Sequence, residues 1–291
     1  MYTQIASNKR KSLFLVFGFV VLVGALDYVF ARAFNQPSFF VPIMLVAVIY
    51  AAISYFFSAQ IALGLSGAQP IEKKDNPELY RTVENLTIAA GLPMPKVYIV
   101  DDPSPNAFAT GRDPQHAVVC VTTGILPLLE KDELEGVIAH ELSHVGNYDI
   151  RFMAIVVALV SVVAVVSDLF LRISFWSRDD REEGNQLFII LGIVGAIMAP
   201  IVAALIQFAV SRQREYLADA SGVLLTRYPE GLARALQKIS NNPTPMQHAN
   251  SATSPLYISN PLKGRSLAGL FDTHPPIEDR IKRLREMEIH Q

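Results

Sequence analysis

The chain has 291 residues, of which 51% are hydrophobic, and its mean hydropathy is +0.30. These values are high for a soluble protein and favour a membrane protein, while the net charge of −2 favours neither a nucleic-acid partner nor a strongly acidic or basic one. The single cysteine, Cys120, cannot form an internal disulfide, and its apolar surroundings predict a buried structural thiol rather than a nucleophile.

Residues 1–66 predict an amino-terminal transmembrane hairpin. The apolar runs 13–30 and 39–63 each approach or exceed the roughly 20 residues that span a bilayer as a helix. The tripeptide at 31–33 resembles a signal-peptidase site, so removal of the first run as a signal peptide is the alternative. The length of the first run and the second run that follows at once favour the retained hairpin.

Residues 67–150 predict the first part of a soluble domain. The expected elements are a helix from Asn76 to about Gly91, strands at Lys96–Val100 and Ala117–Val121, and a helix that begins within Gly124–Leu129. Between the two strands, the residue types of 105–111 suit a polar turn that buries its phenylalanine.

The sequence His140-Glu141-Leu-Ser-His144 is a zinc motif on a predicted helix. Residues four apart share one helical face, so His140 and His144 can present two imidazoles to one cation. Zinc is the expected ion, and Glu141 can take the proton of a water held on it. We predict that Asp132 and Glu135 form a capping box at the start of this helix. An ordinary surface helix that carries the motif by chance is the alternative.

Residues 151–210 predict a second transmembrane hairpin. Its apolar runs, 153–173 and 187–210, flank a charged loop, and each has the length of a span. A hairpin buried in the protein core is the alternative, because Asp168 and Arg172 interrupt the first run. In either arrangement, the hairpin brings residue 211 back to the side on which residue 150 lies.

The basic residues Lys9, Arg10 and Lys11 predict a cytoplasmic amino terminus. Two pairs of spans then leave both parts of the catalytic domain, 67–150 and 211–291, on the cytoplasmic side. The predicted localisation is therefore a multi-pass membrane protein whose catalytic domain faces the cytoplasm.

Residues 211–291 are predicted to complete the metal site. Because a hairpin connects the region of His144 to that of Glu215, both side chains come to one face, and Glu215 can supply the third ligand. Asp219, four residues further on, can accept a hydrogen bond from a ligating histidine and fix its tautomer. A surface helix with local ion pairs is the alternative.

The remaining carboxyl-terminal segments have distinct compositions. Gly231–Ile239 predicts a helix, and residues 241–260 are rich in Asn, Pro, Ser and Thr, which is typical of a mobile flap. A final helix is predicted with Ile277, Ile281 and Leu284 on one face. Its acidic first turn and basic residues further along match the helix dipole.

Five motifs together resemble the HtpX heat-shock family of integral-membrane zinc metalloproteases, which is related to the CAAX prenyl proteases of eukaryotes. The motifs are Ala90–Tyr98, Asn106–Arg112, His140–His144, Glu215–Asp219 and Thr273–Pro276. The resemblance implies a mainly α fold with a small β-sheet (α+β), a zincin-like metallopeptidase domain and about four transmembrane helices. It also implies that the segment after Asn106 lines the cleft.

The same resemblance implies a function and a set of residue roles. The activity would be that of a bacterial inner-membrane endopeptidase of the stress response, which cleaves misfolded or damaged membrane proteins. Family position assigns one Zn²⁺ to His140, His144 and Glu215, catalysis to Glu141, and candidate substrate or transition-state contacts to Asn106 and His274. Because His274 precedes Pro275, it could instead cap the final helix.

Two other functions stay open at this point. One is a processing protease of defined specificity that acts on lipidated or prenylated tails. The other is a non-catalytic membrane scaffold with a structural zinc ion. Glu141 argues against the scaffold, because a purely structural site has no need of a carboxylate at that position. The predicted partners are unfolded or membrane protein substrates and the lipid bilayer, with no nucleic acid.

Overall fold

The structure is a computed structural model, and it describes most of the chain outside the second predicted hairpin. The described residues are 10, 12–18, 20, 21, 24, 28, 40–160, 212–242, 244–247, 253–261 and 275–288. The predictions for residues 161–210 and for His274 therefore lie outside the described residues.

The described chain is mainly helical with a small mixed sheet, as the fold class predicted. The helices are α1 (Phe40–Phe56), α2 (Ser58–Ser66), α3 (Pro77–Ala90), α4 (Lys131–Gly146), α5 (Arg212–Thr226), α6 (Pro229–Asn241) and α7 (Ile277–Glu288). The strands are β1 (Gln69–Pro70), β2 (Lys96–Val100), β3 (Ala107–Thr110) and β4 (Val118–Thr122). Short 3₁₀ turns occupy Pro114–His116 and Ser254–Leu256, and residues 149–160 are also helical.

The helices α1 and α2 carry much of the apolar amino-terminal region. Large side chains of α1, including Val41, Leu45 and Val46, are more than half exposed. Within the described residues, no single helix combines the length and apolar composition needed to cross a bilayer. Met44–Phe56 and Ser58–Ser66 meet that requirement only together, and a bend of 69° separates them.

Helix α3 begins and ends where the sequence predicted. Asn76 caps its amino terminus by accepting a hydrogen bond from the backbone N–H of Leu79, at 3.0 Å. Pro77 occupies the first turn, where its missing N–H costs nothing. Gly91 ends the helix with a φ of +65°, a conformation that glycine adopts without steric strain.

The sheet separates two apolar clusters. Its strand order is β1-β2-β4-β3, with β2 and β4 parallel and the other pairs antiparallel. Because side chains alternate along a strand, Val97 and Val119 face the helical core while Phe108 and Cys120 face the side covered by Leu63 of α2. The prediction that Cys120 is buried is confirmed. Strand β3 lies at one end of the strand order.

The prediction of a helix beginning within Gly124–Leu129 was wrong. This segment forms turns, and α4 begins only at Lys131. Gly124 lies directly against the backbone of Pro103, where an added Cβ would be 2.1 Å from the Pro103 carbonyl oxygen. Its backbone N–H donates to the carbonyl of Asp102, at 2.9 Å. A tertiary contact thus holds the segment in turns.

The capping box also lies elsewhere than predicted. Glu130 is the residue before the helix, and its backbone N–H donates to the Glu133 carboxylate at 2.8 Å. The predicted pair, Asp132 and Glu135, lies inside the first turns of α4 instead. The observed cap lies two residues before the predicted one, because α4 begins at Lys131 and Asp132 is already inside the helix.

Helix α4 lies at the centre of the described fold, in contact with α3, α5, α6 and β3. Two glycines permit its closest approaches. A Cβ on Gly136 would lie 2.7 Å from the backbone nitrogen of Leu232 in α6, and a Cβ on Gly222 of α5 would lie 3.1 Å from that of His140. Helix α5 is therefore packed directly against the turn of α4 that carries the metal motif.

The carboxyl-terminal segments confirm two predictions and modify a third. Helix α6 includes the predicted Gly231–Ile239, and α7 buries Leu284 completely, with Ile277 and Ile281 packed against the core. The described residues 253–259 do not have the exposure of a mobile flap, because nearly all of them are buried. The division of the chain into four segments at residues 66, 150 and 210 stays a prediction.

Candidate metal centre

The structure brings together the three side chains predicted to bind a metal. The Nε2 atoms of His140 and His144 lie 3.2 Å apart, and the Glu215 carboxylate oxygens lie 3.8 Å and 3.5 Å from them. Zinc at about 2.0–2.1 Å from tetrahedral donors implies donor separations of about 3.3–3.4 Å. The three donor atoms therefore have the spacing, and the nitrogen and oxygen chemistry, of a zinc site.

The inner side of this site is built by His140, Asp219 and Arg280. Asp219 was predicted as the acceptor for a histidine, and its Oδ1 lies 2.9 Å from Nδ1 of His140. The guanidinium of Arg280 donates to both oxygens of Asp219, at 2.7 and 2.9 Å. It also lies 3.6 Å from the Glu215 carboxylate. Arg280 is fully buried.

The outer side has a second carboxylate–histidine pair. Oδ2 of Asp149 lies 3.1 Å from Nδ1 of His144, and Nε of Arg214 lies 3.8 Å from Oδ1 of Asp149. Both histidines thus have their Nδ1 atoms beside a carboxylate, which orients Nε2 toward the centre of the site. This arrangement is the one that metal-binding histidines adopt in proteins, and it supports the fit of the residues to a metal ion.

The two histidines have opposite pKa shifts. Burial lowers the pKa of His140 to about 4, with the positive charge of Arg280 adding to the effect and Asp219 opposing it. Burial also disfavours the charged form of His144, but the hydrogen bond to Asp149 and the charge of Glu215 raise its pKa to about 9. Burial decides the direction of the shift at His140, and the neighbouring carboxylates decide it at His144.

Glu141 lies in the same cleft as the three donor residues and is only 1% exposed. Ala109 of β3 lines the cleft beside it, and the backbone N–H of Ala109 favours the ionised carboxylate. Burial raises the pKa of Glu141 to about 7; His144 opposes this shift and Glu215 adds to it. The cleft is lined by Ala109, His140, Glu141, His144, Asp149, Ile150, Met153, Arg214, Glu215, Pro255, Leu256 and Ile258.

The segment after Asn106 forms strand β3, whose Ala109 lines the cleft as the resemblance implied. The turn expected from residue types alone is absent there, although Phe108 is buried. The Asn106 side chain does not face the donor residues. Its Nδ2 donates to the carbonyl of Ser259 at 2.8 Å, and its Oδ1 accepts from the Ser259 N–H at 3.2 Å.

Sequence reasoning missed Arg280 and Asp149. A signal for Arg280 was present, because position 280 lies on the same helical face as Ile277 and Leu284, where a cation requires a buried acidic partner. No comparable signal marked Asp149. It follows Tyr148, whose φ of +61° turns the chain just beyond the end of α4, so helical periodicity gives no information about its direction.

A H-E-x-x-H helix, a third carboxylate from a neighbouring helix and a small sheet beside the cleft define the class of protein, a metallopeptidase. Comparison with known sequences agrees with this class. Residues 73–288 match the family described as Peptidase family M48. The chain belongs to this family.

Relatives of similar length are named as HtpX proteases. The Protease HtpX homolog of Tropheryma whipplei (strain Twist) is 52% identical over 288 residues, which cover 99% of this chain and 98% of that protein. The Protease HtpX homolog of Dictyoglomus thermophilum is 47% identical over 98% of this chain and 94% of that protein. The predicted resemblance to the HtpX family is thus confirmed.

Among solved structures, the crystal structure of S. mikatae Ste24p is similar, with a TM-score of 0.53 and 21% sequence identity. The similarity covers 98% of this chain and 67% of that chain. At this level of identity, the comparison establishes that the two chains share a fold.

Proposed function

We propose that the chain is a membrane-bound zinc endopeptidase in which His140, His144 and Glu215 hold one zinc ion. The observation that carries this proposal is the spacing of the three donor atoms, 3.2 to 3.8 Å, with both Nδ1 atoms beside carboxylates. A zinc ion there would supply Lewis-acid chemistry, lowering the pKa of a bound water and polarising the scissile carbonyl.

Glu141 is the residue that moves protons in this proposal. Its carboxylate lies in the cleft beside the donor residues, where it takes a proton from the attacking water and later transfers it to the leaving amine. Asp219 and Asp149 hold the two histidines in the orientation that keeps Nε2 available. Arg280 orients Asp219 and is kept out of solvent by the surrounding core.

The proposed substrates are misfolded or damaged membrane proteins. Strand β3 lies at one end of the sheet and its Ala109 lines the cleft, so an extended backbone can add beside it. Recognition of main-chain groups depends little on side-chain sequence, which suits an enzyme that acts on unfolded chains. A processing protease for prenylated tails is the rival, and the two differ in which substrate they prefer.

A test of the function compares Glu141→Gln with the wild-type protein in detergent. We expect zinc content to be retained and cleavage of unfolded casein to be lost, because the amide cannot accept the proton of water. Glu135→Gln, on the partly exposed side of the same helix, is the matched control and should retain activity. Wild-type turnover in Glu141→Gln would rule out this base, and preference for a prenylated peptide would favour the processing role.

The membrane arrangement is proposed from the sequence. Lys9, Arg10 and Lys11 favour a cytoplasmic amino terminus, and four spans would place both parts of the catalytic domain in the cytoplasm of a bacterium, at its inner membrane. Reporter fusions after Asp75 and after Gln291 should both register as cytoplasmic, with a reporter at 177–184 on the opposite side. A cytoplasmic signal from 177–184 would show that the second hairpin does not span the bilayer.

A further inference from the structure

A short segment of the chain, Thr253–Ser259, lies alongside strand β3 at the cleft, and we call it the strap. Phe108 of β3 and Tyr257 of the strap form an antiparallel bridge. Pro255, Leu256 and Ile258 of the strap line the cleft together with the metal-site residues. The strap is therefore both a neighbour of the strand and a wall of the candidate active site.

The strap forms a 3₁₀ turn at Ser254–Leu256, and after this turn its backbone makes contacts that an extended peptide would make there. The N–H of Ile258 donates to the carbonyl of Ala107 at 2.9 Å, while its carbonyl accepts from Arg280 at 3.5 Å. The Asn106 amide bonds to both backbone groups of Ser259, at 2.8 and 3.2 Å. The peptide of Ile258 thus links the edge of β3 to the arginine of the metal site.

Side-chain contacts hold the strap in place. The rings of Tyr257 and Phe108 pack edge to face, with their centroids 4.8 Å apart. The Tyr257 hydroxyl donates to the hydroxyl of Ser66 in α2, at 2.9 Å, and both groups are buried. These contacts tie the strap to the sheet on one side and to the amino-terminal helices on the other.

A strap in this position leaves little room for a substrate on β3. A peptide that adds to a sheet edge needs the strand's outward N–H and C=O groups. On β3 the carbonyl of Ala107 is bonded to the strap, and Ala109 lines the cleft between Glu141 and the strap residues Pro255, Leu256 and Ile258. All four residues of the strand are buried.

We propose that the strap is an autoinhibitory segment that competes with the substrate for β3. The inference rests on the proposed peptidase function, because the substrate is taken to pair with this strand. In the strapped state the Ala107 carbonyl and the Asn106 amide bind the enzyme's own chain, and a substrate gains them only when the strap departs. The apparent affinity for an extended substrate is reduced by the fraction of molecules that are strapped.

The decisive experiment locks the strap with a reversible disulfide. Phe108→Cys and Tyr257→Cys place thiols at facing positions of an antiparallel bridge, where Cα atoms lie about 4.5–5.5 Å apart, within disulfide range. Cys120→Ala must accompany them, because Cys120 faces Phe108 from β4. The variant carrying Tyr257→Cys and Cys120→Ala alone is the control for oxidation.

We expect oxidation of the double-cysteine variant to lower kcat/KM on an unfolded casein peptide by at least about tenfold, with full recovery on reduction. Zinc content should not change, and the single-cysteine control should not respond. Equal activity of the oxidised and reduced forms would overturn the proposal, because the strap would then be a fixed wall of the cleft. A wild-type protein that cleaves no peptide would instead count against the proposed function.

The lock has a second readout that does not require turnover. In the Glu141→Gln background, a fluorescent casein peptide should bind the reduced form and not the oxidised form, as measured by anisotropy. Equal binding to both forms would overturn the proposal even if the altered core reduces activity. The same protein serves as its own control, since only the disulfide differs.

Loosening the strap should have the opposite effect. Tyr257→Phe and Ser66→Ala each remove the same hydrogen bond, whose net contribution of about 0.5–1.5 kcal/mol corresponds to about a two- to twelvefold rise in kcat/KM. The double variant should gain no more than either single variant. A fall in kcat/KM for both variants, with zinc content unchanged, would contradict competition by the strap.

Discussion

The candidate metal centre has two sides, which have the same arrangement of residue types and differ in their surroundings. The inner set consists of His140, Asp219 and Arg280, and the outer set consists of His144, Asp149 and Arg214. In each set a carboxylate orients a histidine and an arginine approaches the carboxylate. The two histidines are four residues apart on α4, so the differences come from what packs around them.

The arginines differ most. Arg280 makes two short hydrogen bonds to Asp219 and is fully buried, and the attraction of the neighbouring acids raises its pKa even though burial opposes this. Arg214 reaches Asp149 at 3.8 Å, and burial lowers its pKa in spite of Asp149 and Glu215. Attraction outweighs desolvation for the inner arginine, and desolvation outweighs attraction for the outer one.

This difference assigns different roles to the two sides. The inner set connects α4, α5 and α7 through charged groups that are buried away from water. The same contacts therefore support both the metal site and the packing of the three helices. The outer set stands at the cleft, where His144 keeps a side-chain exposure of 16%. We therefore expect substitutions in the inner set to affect folding and metal binding together, and those in the outer set to affect metal binding alone.

The largest effect is expected from Arg280→Met. It leaves the buried carboxylate of Asp219 without its bidentate cation, which lowers the free energy of unfolding by about 3–5 kcal/mol. Zinc content should fall as well, because Asp219 no longer holds His140. Thermal unfolding followed by circular dichroism and metal analysis of the same preparation measure the two effects.

A matched control for this change is Arg285→Met on the same helix. Arg285 is about half exposed and pairs with Glu230 at 3.1 Å, so its loss should cost less than about 1 kcal/mol. Arg280→Lys should be intermediate, because lysine retains the charge and not the planar fork. If Arg280→Met and Arg285→Met unfold at the same temperature, the inner set does not support the fold.

The next effect in size separates the two carboxylates. Asp219→Asn and Asp149→Asn each remove the charge behind one histidine, and such losses weaken metal binding by about 10- to 100-fold. We expect Asp219→Asn near the upper limit, since it also removes the carboxylate that Arg280 binds through two hydrogen bonds, and Asp149→Asn near the lower limit. Competition with a zinc chelator measures both affinities. Equal losses, or the reverse order, would remove the distinction between the two sides.

Most of the site could be predicted from the sequence. Its residues are either close to one another in the sequence or brought together by a hairpin. The spacing of His140 and His144 determines a shared face on any helix, and a hairpin of either kind brings Glu215 back to them. Asp219 follows Glu215 by one turn, which places both on the same side of α5. These residues could be found without knowing how the helices pack.

The parts that sequence did not predict depend on tertiary contacts. Arg280 lies in the first turns of α7 and on its apolar face, and its partner Asp219 comes from α5, so helical spacing within α7 does not identify the pair. Turns replace the helix expected after Gly124 because that residue meets the backbone of Pro103, which is distant in sequence. The polar composition of residues 241–260 predicted mobility, although the backbone of the strap within them is bonded to Ala107 and Asn106. Composition does not reveal such partners.

The smallest effect is expected from Arg214→Met. The guanidinium of Arg214 lies 4.5 Å from the centre of the Phe152 ring, and a methionine can keep contact with that ring through its sulfur. Because the desolvation of this buried cation outweighs its attraction, its replacement by an apolar side chain should cost clearly less stability than Arg280→Met. Zinc affinity should fall less than in Asp149→Asn, because the carboxylate beside His144 is still present.

The comparison with Arg280→Met makes this a sharp test. Both variants exchange a buried arginine for methionine near the same metal site, so differences in side-chain size and charge cancel. Thermal unfolding by circular dichroism should show the inner variant melting well below the outer one. If Arg214→Met loses as much stability as Arg280→Met, Arg214 matters as much to the fold as the bidentate pair of Arg280 and Asp219. The inner and outer sets would then support the metal site equally.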